Sequence, residues 1–212
     1  WPVTLFRIDS HVGFPGAVGD PPVHIADVIT RPIVAQLIEI RVPDIGDYKD
    51  VEIIDVAVRE GDAVAVDATL ITTGDIKPVA GTPLDFRTAK TVRKDFAELP
   101  ATKDDPGGYD HNFVVNGAAG TLRTCAVLQS PKSGIIMTVA SDQPGIQFYS
   151  GNFLDGIPGK NGTTYGKNDA LCLETQAFPD SINKQGKQGW PDVVLRPGQV
   201  YQHTMVHTFT AK

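Results

Sequence analysis

Residues 122–150 read LRTCAVLQSPKSGIIMTVASDQPGIQFYS, and the fold turns on how this stretch is read. Runs rich in Val, Ile, Thr and aromatics, at 122–130, 134–141 and 146–150, are separated only by SPKSG (130–134) and DQPG (142–145). Pro, Gly, Ser and Asp favour tight turns because they fix φ, permit positive φ or hydrogen-bond their own backbone. Short apolar runs between such punctuation predict strands.

The same reading extends in both directions. LIEIRV (37–42), VEIIDVAV (51–58), TLITT (69–73), NFVVN (112–116), ALCLETQAF (170–178), DVVLR (192–196) and VYQHTMVHTFTA (200–211) are further predicted strands. Only ADVITRPIVAQL (26–37) and TAKTVRKDFAEL (88–99) have room for a helical turn, and Pro32 breaks the first. The prediction is an all-β protein, a sandwich with most of its mass after residue 73. Residues 1–36 hold the loop-like stretch DSHVGFPGAVGDPPVH, and 37–73 form a compact strand-turn-strand unit.

Composition excludes several functions. With 212 residues the chain is long enough to bury a sizeable core. Its net charge of -6, with 21% charged residues, argues against a nucleic-acid surface, which needs clustered Lys and Arg. No apolar run approaches the ~20 residues of a membrane span, and WPVTLFRIDS carries no basic leader, so no membrane partner is expected. Cys125 and Cys172 lack metal-ligand spacing and read as buried free thiols. Asp104, Asp105 and Asp110 crowd a Gly-containing loop without calcium-loop spacing, so no metal is predicted. Low cysteine content makes the cytoplasm the default location, with periplasm or secretion open.

Glu174 stands in the apolar run LCLETQAFPDSIN (171–183). Alternation puts Cys172, Glu174 and Gln176 on one side of a strand and Leu171, Leu173 and Thr175 on the other. Periodicity alone leaves two readings open: a carboxylate aimed into a site, or an outward-facing strand residue.

Larger motifs bear on the choice. GDIKPVAGTPLDF (74–86), GYDHNF (108–113), PGIQFYSGNFLDG (144–156), YGKNDALCLETQAFPDSIN (165–183) and LRPGQVYQHTMVHTF (195–209) occur in order. Through them, residues 74–212 resemble the C-terminal portion of the aldose epimerase (galactose mutarotase) family. Residues 37–72 resemble instead the first half of a lipoyl domain of a dihydrolipoyl acyltransferase. The lysine motif that carries the lipoyl group in that family is absent after residue 72, so lipoylation is not expected.

The aldose epimerase resemblance implies a β-sandwich of the galactose mutarotase type and an isomerase that interconverts the anomers of free aldohexoses such as galactose and glucose. A base removes the anomeric hydroxyl proton, an acid protonates the ring oxygen, and the opened sugar recloses on its other face. No metal or organic cofactor is implied. The family's base matches Glu174, which a partly buried position between strands would suit. Its sugar-contacting aspartate and glutamine match Asp110 and Gln147, and Phe148 or Tyr149 is a candidate aromatic wall. Two of Gln147, Phe148 and Tyr149 must share a face, so some of the three are simply core. His111 faces away from Asp110 by alternation and reads as structural.

The family's general acid is a histidine in an asparagine-histidine-serine context, and no such context occurs here. The alternative to an isomerase is therefore a truncated or chimeric sandwich that binds carbohydrate without catalysis. Half-domains leave strand edges unpaired, which predicts a homodimer or a larger chain.

Overall fold

The computed structural model describes residues 4–13, 52–55, 62–67, 71–103, 105–159 and 162–211, with 4–13, 52–55 and 62 given by backbone alone. The predicted strand at 37–42 and the stretch 26–37 lie outside these residues. Strands run β1 (Thr4–Gly13), β2 (Glu52–Asp55), β3 (Asp62–Val66), β4 (Thr72–Pro78), β5 (Lys90–Thr91), β6 (Asp110–Val114) and β7 (Arg123–Gln129). They continue as β8 (Ile135–Ser141), β9 (Gly145–Tyr149), β10 (Ile157–Pro158), β11 (Thr164–Tyr165), β12 (Cys172–Gln176) and β13 (Val200–Ala211). The chain is all-β. Short 3-10 turns at Phe96–Glu98 and Ser181–Lys184 are the helical elements among the described residues.

One sheet has the order β1-β13-β8-β7-β2-β5, a second has β12-β9-β6-β3-β4, and β10-β11 form a small ribbon. The stretch 122–150 supplies β7, β8 and β9, and its second turn carries the chain from one sheet to the other. β7 and β8 pair as a hairpin in the first sheet, whereas β9 crosses to the second and pairs with β6 and β12. Arg123 fixes that crossing. Its guanidinium donates to the carbonyls of Asn116 at 2.7 Å, Gln143 at 2.9 Å and Ser141 at 3.2 Å, tying the β8–β9 turn to the end of β7.

The core lies between the sheets, where alternate residues of β6 and β9 point inward. Phe113, Ile146 and Phe148 are almost fully buried with Phe86, Tyr109 and Val139. Tyr109 stacks on Phe148 at 4.8 Å, and Phe86 meets both rings edge-on at 5.2 and 5.6 Å. Burying each large side chain contributes ~1.5–3 kcal/mol, and each aromatic pair adds roughly 0.5–1.5 kcal/mol.

Several elements depart from the sequence reading. DVVLR is not a strand: Asp192 accepts from the Val194 N–H at 2.9 Å and pairs with Arg196 at 2.8 Å. Local bonds replace a ladder here, between Pro191 and Pro197, and Val193 and Val194 stay exposed. Residues 4–13, within the stretch read as loop-like, form β1 against β13. β3, absent from the predicted strands, pairs with β4 and β6, so residues 62–78 build the same sheet as residues 110–176. TAKTVRKDFAEL holds β5 and one 3-10 turn rather than a longer helix.

Candidate active site

Strand register assembles the candidate site. Asp110 of β6 opposes Tyr149 of β9, which opposes Cys172 of β12; one step along, Asn112 opposes Gln147, which opposes Glu174. Directly opposed residues and those two apart share a face. Asp110, Gln147, Tyr149 and Glu174 therefore lie together on the face turned away from the core, while Phe148 belongs to the core with Phe113 and Ile146. Of the consecutive trio Gln147, Phe148 and Tyr149, the first and last share the site face.

The side chains on this face interact. Gln147 Nε2 donates to Asp110 Oδ1 at 2.7 Å, a bond from a neutral donor to a carboxylate. Tyr149 Oη accepts from the Phe153 N–H at 2.8 Å, which anchors the ring and leaves its own proton free to donate. Cys172 lies within the field of both carboxylates. Burial first, then the negative charges of Glu174 and Asp110, push its thiol pKa up, so Cys172 is held as a neutral thiol on this face.

Glu174 itself is exposed, where a partly buried position was expected. The physical reason is its strand: β12 is the edge of its sheet and has a neighbour on one side only among the described residues. The far end of the face is covered instead. After β12 the chain turns back as Phe178–Trp190 and lays Phe178 and Trp190 over Val64, Ile76 and Val114. Trp190 Nε1 donates to the Gly74 carbonyl at 2.9 Å, and Thr72 Oγ1 donates to the Pro179 carbonyl at 3.3 Å. Between this cover and the sheet lies a pocket of about 80 Å³, lined by Asp110, Asn112, Gln147, Thr72, Pro179 and the valines of β3.

Behind Asp110 and Tyr149 a buried polar network fixes the ends of β6 and β9. Ser150 Oγ accepts from the Tyr109 N–H at 2.9 Å, Asn152 Nδ2 donates to the Tyr109 carbonyl at 2.9 Å, and Asn168 Nδ2 donates to the Ser150 carbonyl at 2.8 Å. Gly108, at φ +94, leaves room for it: an added Cβ would lie 2.5 Å from Asn152 Oδ1 and 2.9 Å from Ser150 Oγ. Sequence reasoning missed Asn152 and Asn168. The signal available was their place in the motifs SGNFLDG and YGKND, beside the strands that carry Tyr149 and Glu174.

The histidines point elsewhere. His111 opposes Phe148 on the other face, its Nδ1 accepts from the Asp110 N–H at 3.1 Å, and burial lowers its pKa, so it stands there as a neutral imidazole. His203 Nε2 meets Thr175 Oγ1 at 2.9 Å, bridging β13 and β12. His207 lies edge-on to Phe209 and is also pushed down by burial. A larger cavity of about 480 Å³, bordered by Phe96, Leu128, Met137, Leu171 and Phe209, is mainly apolar and contains none of the four candidate site residues. Among the described residues no group of His, Cys, Asp and Glu is arranged to hold a metal ion, and no helix is long and apolar enough to cross a membrane.

Comparison with known proteins gives this face its context. The aldose 1-epimerase family model matches residues 41–208. The chain belongs to the aldose 1-epimerase family. That match begins within the stretch 37–73 and runs on through the sandwich. Human galactose mutarotase is 38% identical over 169 residues, covering 79% of this chain and 45% of its own. The aldose 1-epimerase of Escherichia coli is 32% identical over 170 residues, 79% of this chain and 48% of its own. A crystal structure of an aldose epimerase homologue from C. elegans superposes with a TM-score of 0.61 at 30% identity, over 76% of this chain and 45% of that one. The chain thus spans less than half the length of these relatives. The sandwich, with Glu174 on an edge strand of one sheet, is an aldose epimerase fold.

Proposed function

We propose that the face built from β6, β9 and β12 binds a free aldohexose, galactose or glucose, and that the chain acts as a mutarotase-like isomerase with Glu174 as the base. The observation that carries this reading is the register: Asp110, Gln147, Tyr149 and Glu174 come from three neighbouring strands onto one polar face, in a chain of the aldose 1-epimerase family.

In this reading Asp110 accepts hydrogen bonds from sugar hydroxyls, and the Gln147 amide holds that carboxylate by its 2.7 Å bond. The Tyr149 ring offers an apolar wall to the C–H face of the sugar. Glu174, exposed at the open end of the face, takes the proton from the anomeric hydroxyl. The electron pair of that O–H bond becomes the new carbonyl, the bond from C1 to the ring oxygen breaks, and the ring oxygen must be protonated. No described histidine lies on this face, so that proton comes from water or from a group outside the described residues. Rotation about the C1–C2 bond and reclosure give the other anomer, with the proton returned by Glu174. The edge of β12, unpaired among the described residues, supports the further reading that the chain pairs with a second copy, which size-exclusion chromatography tests: a stable monomer counts against it.

The test of the base is Glu174→Gln in polarimetric mutarotation of α-galactose. Loss of a positioned base costs ~10²–10⁴-fold, so catalysis should fall to the buffer rate while sugar binding survives. An unchanged rate removes Glu174 from the mechanism. A wild-type protein that binds galactose without accelerating its mutarotation supports the carbohydrate-binding alternative.

A further inference from the structure

Asn112 is 2% exposed, and neither its Nδ2 nor its Oδ1 has a hydrogen-bond partner. Buried polar side chains nearly always find partners, so an amide unpaired at both ends calls for a reason. Directly across the β6–β9 ladder, Gln147 Oε1 is also buried and unpaired, its Nε2 being committed to Asp110. A free donor and a free acceptor thus sit on opposed residues of one face.

Both residues line the pocket of about 80 Å³ beneath Pro179, with Val64 and Val66 as apolar walls and Thr72 and Asp110 as polar ones. At ~30 Å³ per water it has room for more than one water but not for a hexose ring. Gly145 makes the arrangement sterically feasible: an added Cβ would lie 2.7 Å from Asn112 Oδ1 and 2.9 Å from Phe178 Cδ1. A hydroxyl group is donor and acceptor at once. One hydroxyl placed here accepts from Asn112 Nδ2 and donates to Gln147 Oε1, satisfying both.

We propose that Asn112 is a further sugar-recognising residue, and that the pocket takes a single hydroxyl-bearing substituent of the aldohexose between Asn112 and Gln147. This rests on the reading of the face as a sugar site. An apolar isostere at 112 would remove the unpaired amide, so the asparagine is explained by what it recognises rather than by packing.

The test is titration of galactose and each monodeoxygalactose, followed by amide NMR, into wild type, Asn112→Leu, Asn112→Ala and Asp110→Asn. Asn112→Leu, with wild-type dispersion of its spectrum, should bind galactose about tenfold more weakly. One monodeoxygalactose that is weakened on wild type should then bind Asn112→Leu as well as galactose does, because the hydroxyl and the amide are lost as a pair. Asn112→Ala, which only removes atoms, gives the same comparison should the leucine variant not fold. Equal galactose affinity in wild type and the Asn112 variants, or deoxy losses that all persist in them, overturns the proposal and leaves the pocket to water. Wild type and Asp110→Asn binding alike, or not at all, overturns the sugar reading of the face and the proposal with it.

Discussion

Replacing Trp190 by Phe tests how the cover over the candidate site is held. Trp190 is 8% exposed, its indole N–H donates to the Gly74 carbonyl at 2.9 Å, and its ring meets Phe178 edge-on at 5.6 Å. Phenylalanine keeps a ring against Phe178 but removes the donor. Leaving a buried carbonyl unpaired costs ~1–3 kcal/mol. The smaller ring gives up the buried area of a methylene or two, at ~0.8 kcal/mol each. The total is about 2–5 kcal/mol, and at ~2–4 °C per kcal/mol for a chain of this size Tm should fall by roughly 4–20 °C. Thermal unfolding by circular dichroism measures the fall. Hydrogen exchange adds the local consequence: amides of residues 178–190 should exchange faster while those of β8 and β13 keep their protection relative to the new global stability. A Tm within a degree of wild type, with unchanged exchange in 178–190, would refute the argument that the indole bond holds this segment to β4.

Phe148→Ala empties a position that is 1% exposed beneath Gln147 and Tyr149, and should cost ~3–5 kcal/mol in chemical denaturation; a loss under about 1 kcal/mol would mean the core collapses into the gap. Burial lowers the pKa values of His111 and His207 below the ordinary 6.5, so the unfolded chain binds protons that the folded one resists. Their contribution is present above pH 6.5 and lost as pH falls through the folded values; Tm measured from pH 7.5 to 5 should drop, and His111→Asn with His207→Asn should flatten that slope. Cys172 should alkylate more slowly at pH 7.5 than a free peptide thiol, because burial and the charges of Glu174 and Asp110 raise its pKa, and Glu174→Gln should speed it; an unchanged rate in that variant would separate Glu174 from Cys172.

Much of the sandwich was legible locally. The runs around SPKSG and DQPG became β7, β8 and β9 within a residue of their predicted ends, and β13 spans 200–211, because turn residues and β-branched runs act over short distances. DVVLR failed where prolines and an Asp192 side chain offered the backbone other partners. β1 escaped notice because its pairing comes from a strand far along the chain, β13.

The candidate site divides in the same way. Motif and alternation by themselves determined that Glu174 shares a face with Cys172, that Gln147 shares one with Tyr149 and that Asp110 and His111 diverge. They could not determine which face is core, because alternation relates neighbours in one strand and is blind to what covers them. Only the packing of sheet on sheet assigned Phe148 to the interior, and only the return of Phe178–Trp190 over β3 and β4 buried Asn112 beside Gln147 while leaving Glu174 exposed. Burial is a property of distant segments meeting, and the free energy that brings them together belongs to the whole chain rather than to any stretch of it.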